Sequence, residues 1–192
     1  MTDAPPALPL ERPVLVIGFG NVLRGDDGVG PVVADMVTRW NLAGVLAQSL
    51  HQLVPELAEQ ISNSRNVIFV DADLSSTTDS VTTSPIDPGS TTTPIGHVSD
   101  PGQLLALARD LFGLCPRAYL IRIPVSTINL GESLSPLAEA GVKDALSRIA
   151  ILLDEHGGPL LPVSSRKSPQ SSASPPHPGP LILGDANKGI VP

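Results

Sequence analysis

The chain has 192 residues, enough for one domain with a sizeable core, and 41% of them are apolar. Only 16% are charged and 3% aromatic, so that core must be aliphatic, built from Leu, Val, Ile and Ala. A net charge of −7 with no basic run argues against a nucleic-acid or anionic-membrane surface, since both attract clustered Lys and Arg. Cys115 is the only cysteine; this excludes an intramolecular disulfide and a Cys-rich metal site made by this chain alone, and it fits a reducing compartment. The opening MTDAPPALPLERP carries acidic residues and four prolines and lacks the basic and apolar regions of a signal peptide. No apolar stretch approaches the roughly 20 residues needed to span a bilayer. The expectation is a soluble, cytoplasmic protein.

Along the chain, Val14 to Ile17 is a short continuous apolar run, the pattern of a strand buried on both faces. A glycine-rich turn, Gly18 to Gly30, follows it. Val29, Val32, Val33, Met36, Val37 and Trp40 then recur at helical spacing, with Pro31 near the helix start. Val45 to Leu50 reads as a second strand and Pro55 to Ile61 as a short helix. Val67 to Val70 is another apolar run and ends directly at Asp71. From Ser75 to Thr93, 12 of 19 residues are Ser or Thr, a composition that favours turns and predicts a long loop or a loose hairpin. Leu104, Leu105, Leu107, Ala108, Leu111 and Phe112 outline an amphipathic helix with Asp100 as N-cap and Pro101 just inside. Tyr119 to Ile123 is a further strand. A long last helix runs through Leu137, Val142, Ala145, Leu146, Ile149, Leu152 and Leu153, closed by Gly157 and Gly158. Strands alternating with helices predict a single three-layer α/β domain, its sheet mostly parallel or mixed and flanked by helices. The domain is expected over residues 13–156, between a flexible segment 1–12 and a Pro/Ser-rich, disordered tail 157–192.

The chemistry-bearing residues cluster in the loops. Strand, glycine loop and helix also begin dinucleotide sites, but Leu23 stands where the third glycine of G-x-G-x-x-G belongs. Asp26 and Asp27 would repel a phosphate at that helix start, while suiting its dipole. No G-K-[ST] follows, which excludes a P-loop. Adjacent carboxylates cannot point the same way, so at most one of the pair is expected to face a cleft while the other caps the helix. Asp71 ends a buried strand, where α/β sheets place their ligand crevice; Asp73 is a second candidate there. Of His51, His97, His156 and His177, the first could follow a strand and the second precedes a helix. No G-x-S-x-G elbow, H-E-x-x-H helix or Cys–His pair offers a standard hydrolase reading. Carboxylates and histidines beside buried strands make a candidate mixed oxygen/nitrogen metal site.

The segment VLVIGFGNVLRGDDGVGPVVADMV, Val14 to Val37, resembles the opening of the hydrogenase maturation protease family. Gly18, Gly20, Asn21, Leu23, Asp26, Asp27, Gly28 and Gly30 match the family pattern G-x-G-N-x-L-x-x-D-[ED]-G-x-G. Further segments are similar to family counterparts: HQLVPELAEQI to a second helix, VIFVDAD to the end of the central strand, GHVSDPGQLLALARDLFG to a histidine-led helix, and INLGESLSP to the stretch before the last helix. The resemblance covers about residues 13–154. It implies a mixed sheet flanked by helices and one endoproteolytic cut near the C-terminus of a nickel-loaded hydrogenase large subunit. It further implies a trio that senses the metal and serves catalysis, falling here on Asp27, Asp71 and His97. The nickel would be supplied by the large-subunit precursor, already held by thiolates. The family's first metal slot is often Glu and is Asp27 here, one methylene shorter. Ser49, Leu50 and His51 stand where the family often has acidic or glycine-rich residues. The alternative from a different class is a non-catalytic module that docks the hydrogenase precursor or carries nickel during assembly. Oligomeric state is not predicted by these patterns.

Overall fold

The computed structural model describes residues 12–89, 100–131 and 133–155. Five strands, β1 (Val14–Phe19), β2 (Val45–Leu50), β3 (Asn66–Asp73), β4 (Thr82–Ile86) and β5 (Arg117–Pro124), alternate with four helices, α1 (Val29–Trp40), α2 (Leu57–Ser62), α3 (Pro101–Phe112) and α4 (Pro136–Glu155). A single 3-10 turn, Gly25–Gly28, leads into α1. The strands form one sheet in the order β2-β1-β3-β5-β4, parallel except for β4, which runs antiparallel along the β5 edge.

Strand side chains alternate between faces, and the apolar runs divide accordingly into two cores. Val14, Val16, Ile68, Val70, Ile121 and Ile123 pack with Val29, Val33 and Val37 of α1 and with Ala145, Ile149 and Leu153 of α4. Leu15, Ile17, Val67, Phe69 and Leu120 pack with Leu57 and Ile61 of α2 and with Leu104, Leu105 and Ala108 of α3. The expected three-layer α/β architecture is the one observed. Each fully buried Ile, Leu or Phe in these layers contributes about 1.5–3 kcal/mol of transfer free energy. That both faces are covered explains why β1 and β3 read as unbroken apolar runs rather than as alternating ones.

Helix ends follow local chemistry. The Asp100 carboxylate accepts hydrogen bonds from the N–H of Gly102 at 2.7 Å and of Gln103 at 3.3 Å, with Pro101 at the first helical position. Gly113, at φ 71°, ends α3 and donates back to the Arg109 carbonyl. Asn41 ends α1 in the left-handed region at φ 49°.

Three expectations need correction. The Ser/Thr-rich stretch is not all loop: Thr82–Ile86 is strand β4, and its partner is β5 rather than β3, so no local hairpin forms. Ser and Thr are β-tolerant once a neighbouring strand offers a ladder, and here that tertiary term overrides composition. Leu111 and Phe112 do not share the buried face of α3; they are 64% and 44% exposed at its last turn. Neither Asp26 nor Asp27 caps α1, whose N-cap is Gly28, without any side-chain hydrogen bond. The Gly157–Gly158 helix stop, residues 1–11 and the Pro/Ser-rich tail lie outside the described residues. Among the described residues, no helix is long and apolar enough to cross a membrane.

Where β1, α1 and β3 meet, a Cβ on Gly30 would stand 2.6 Å from the Val70 carbonyl oxygen and 2.8 Å from the Phe19 nitrogen. Gly30→Ala is therefore expected to cost about 3 kcal/mol or more, because backbone rather than a movable side chain must give way. Gly113→Ala meets no atom within 4 Å and should cost only about 1 kcal/mol, for holding a left-handed conformation. Urea unfolding of both variants checks the contrast; equal losses would mean that the β1–α1–β3 junction is not tightly packed.

Candidate active site

The chain runs from β1 to β2 on one side and then crosses to β3 on the other side of β1. The carboxyl ends of β1 and β3 therefore flank the point where strand order reverses, the usual ligand crevice of an open α/β sheet. Both acidic members of the predicted trio lie there. Pairing of β1 with β3 ends at Gly18 and Val70, so Asp71 is the first β3 residue beyond it. Asp27 sits in the 3-10 turn that follows β1.

The glycines of the signature explain how backbone carrying these acids comes so close. A Cβ on Gly18 would collide with the Gly30 carbonyl, and one on Gly20 with the Asp27 carbonyl. Gly20 also adopts φ 139°, which side-chain-bearing residues rarely reach. These contacts draw the turn down onto the ends of β1 and β3. Asn21 then locks the loop: its backbone N–H donates to Asp27 Oδ2 at 3.0 Å, and its side-chain oxygen accepts from the Leu23 N–H at 2.9 Å.

The two neighbouring acids, Asp26 and Asp27, have different fates. Asp26 is fully buried and turned away from the crevice. Its Oδ1 accepts from the Ser135 N–H; its Oδ2 accepts from the Ser135 hydroxyl at 2.8 Å, the Ser126 N–H at 3.2 Å and the Ser126 hydroxyl at 3.4 Å. Burial pushes its carboxyl up, but hydrogen bonds from Ser135, Ser126 and Thr127 together outweigh that and hold it below the ordinary carboxylate range. Asp27 is half-buried and remains the acid available to the crevice.

Asp71 is the electrostatically disfavoured member. Burial raises its carboxyl, the charges of Asp27 and Asp73 add to the effect, and the Ala72 N–H and Arg122 oppose it, leaving it raised to about 6. The Ala72 N–H donates to Asp71 Oδ1 at 2.9 Å. A carboxyl raised to about 6 beside a second carboxylate can bind a cation, or hold and release a proton near neutral pH.

Asp73, the second candidate on β3, closes a turn instead: its Oδ1 accepts from the Ser75 N–H at 3.0 Å and the Ser75 hydroxyl at 2.7 Å. His97 lies outside the described residues, as do His156 and His177. His51 is exposed directly after β2, whose Leu50 carbonyl accepts the Gly20 N–H at 3.0 Å. Among the described residues, no group of three or more His, Cys, Asp and Glu is placed to hold a metal ion. Sequence reasoning gave no role to Ser126 and Ser135. The signal for Ser135 was present in outline, since a serine followed by proline before a helical period marks a helix start.

A raised Asp71 carboxyl has a definite consequence for stability. Its folded value of about 6 lies above its unfolded value, so the favourable protonated form is lost as pH rises through that interval. The penalty is fully present only above about pH 6. Asp71→Asn keeps an oxygen for the Ala72 N–H and removes the charge. It is expected to stabilise the metal-free protein near pH 7.5 by at most about 3 kcal/mol, with the gain vanishing near pH 3.5. Urea titrations at both pH values check this; a gain that does not depend on pH would mean that the carboxylate carries no such penalty.

No family model and no curated protein matches the chain. Solved structures do match it. The hydrogenase maturating endopeptidase HybD from E. coli aligns at 22% identity over 79% of this chain and 98% of its own, with a TM-score of 0.63. A hydrogenase 2 maturation peptidase from Thaumarchaeota archaeon SCGC_AB-539-E09 aligns at 23% identity over 74% of this chain and 99% of its own, with a TM-score of 0.57. The NiFe hydrogenase maturation protease HycI from Thermococcus kodakarensis aligns at 22% identity over 75% of this chain and 94% of its own, also at 0.57. This chain has the fold of the hydrogenase maturation endopeptidases.

Proposed function

We propose that the chain is an endopeptidase of nickel–iron hydrogenase maturation, which removes a C-terminal peptide from a large-subunit precursor already loaded with nickel. The observation that carries this reading is the meeting of Asp27 and Asp71 at the β1–β3 switch point, on a fold shared with maturation endopeptidases. Nickel belongs to the substrate, where thiolates hold it. Asp27 and Asp71 offer it oxygen ligands and His97 a nitrogen, a donor set that suits nickel and leaves the remaining positions to the precursor. The metal thereby serves as a recognition element, and it can polarise the scissile carbonyl.

A second route leaves Asp71 off the metal, to act as general base while Asp27 and His97 hold the nickel. At about 6 its carboxyl is mostly ionised at neutral pH yet more basic than an ordinary aspartate. It accepts a proton from water as the water oxygen bonds to the scissile carbonyl carbon. Returning that proton to the departing nitrogen as the C–N bond breaks leaves a new carboxylate on the large subunit and a free amino group on the released peptide. The reaction belongs to the cytoplasm, a compartment in which exposed, unpaired Cys115 stays reduced.

The test is intact mass of a purified large-subunit precursor, with and without nickel, after incubation with the chain. Loss of one C-terminal peptide is expected only with nickel. Asp27→Asn, Asp71→Asn and His97→Ala should each lower the rate by about a hundredfold or more. A nickel-loaded cognate precursor that binds the chain but keeps its mass would overturn the peptidase reading in favour of the docking or carrier module.

A further inference from the structure

Among the described residues, Asp26 is the one charged side chain that is fully buried. A buried charge is costly unless its lone pairs are filled, and here they are filled entirely from one distant stretch, residues 126–135. Ser135 also accepts the Ala138 N–H on its hydroxyl at 3.2 Å, so the group that donates to Asp26 is at the same time the N-cap of α4. Backbone bonds add to the seam: Gly25 N–H donates to the Gly131 carbonyl at 2.6 Å, and Gly131 N–H to the Leu23 carbonyl at 3.0 Å. Arg24 Nε donates to the Ile128 carbonyl at 3.3 Å. The signature loop and the β5–α4 connection thus form one stitched unit.

Only a carboxylate fits the centre of it. Ser135 N–H points at Oδ1 and Ser126 N–H at Oδ2, so an asparagine, however its amide is flipped, would set an NH2 against a backbone N–H. Asp27 is the next residue in the same 3-10 turn. Its carboxylate is braced on the other side by the Asn21 N–H.

We propose that Asp26 is a positioning residue: through Ser126 and Ser135 it pins the turn that carries Asp27 to the amino end of α4, and so sets where the Asp27 carboxylate stands in the crevice. The proposal rests on the reading that Asp27 acts on the substrate, but its first test does not. In the full-length protein, the Asn21 amide reports on Asp27 directly. In Asp26→Asn, Ser135→Ala and Ser126→Ala, that amide should shift in a nitrogen–proton correlation spectrum and exchange with solvent about tenfold faster or more, while core amides of β3 keep their parent positions. Ser135→Thr, which keeps the hydroxyl, should restore the parent signal. In precursor cleavage, Ser135→Ala should lower kcat by about tenfold to a hundredfold with KM within about twofold, and Ser135→Thr should recover it. An Asn21 amide that stays at its parent position in folded Ser135→Ala and Ser126→Ala would overturn the positioning role, whatever happens to Asp26→Asn. A parent protein that fails to cut the loaded precursor would sink the peptidase reading and leave the amide result to decide the clamp.

Discussion

The structure hangs on a backbone approach that admits no side chains. At the ends of β1 and β3, carbonyl groups of Phe19, Asp27, Gly30 and Val70 occupy the space where Cβ atoms of Gly18, Gly20 and Gly30 would lie. This contact seats α1 directly against the sheet, lets the 3-10 turn fold over the carboxyl end of β1, and brings Asp27 within electrostatic reach of Asp71. A single methyl group at Gly18 or Gly30 would separate the layers and the acids together. Fold and site are here one constraint, not a scaffold with a site added to it.

The carboxylates arranged by this contact divide the electrostatic work. Asp26 is more acidic than an ordinary aspartate and Asp71 less so, although both lose water on folding. The difference lies in the donors: Asp26 is supplied by two serines and by backbone N–H groups, whereas Asp71 has the Ala72 N–H and faces other negative charges. Environments that push like groups apart are how one protein keeps a more acidic anchor beside a less acidic carboxyl able to exchange protons or ligands. Asp71 is thereby held at some expense to stability.

Much of this was readable in the residues. The runs at Val14 and Val67 announced strands covered on both faces, and the Asp100–Pro101 pair announced a helix start; both readings rest on local physics that tertiary structure did not override. The signature around Gly18 to Gly30 and the end of the second apolar run pointed to Asp27 and Asp71, and the fold brings both to the same end of the sheet. Long-range pairing was not readable. Thr82–Ile86 becomes a strand only because β5, which begins 31 positions after Ile86 in sequence, offers it a ladder. One of Asp26 and Asp27 was expected to cap the helix because acids near helix starts commonly do; the partners of Asp26 instead lie 100 and 109 positions away, beyond any window of local pattern. Asp73 looked equivalent to Asp71 by alternation, but a following serine drew it into a turn.

The span of the Asp26 clamp bears on when the site comes into being. A chain made from its amino end contains β1, the signature turn, α1 and β3 long before residue 135 exists. It then holds Asp27 and Asp71 but has nothing to close around Asp26. Ordering the intervening segment carries a loop-closure cost that only later contacts can offset. No fragment that stops short of Ser135 can complete the clamp, so the crevice acquires its final shape only when the amino end of α4 arrives.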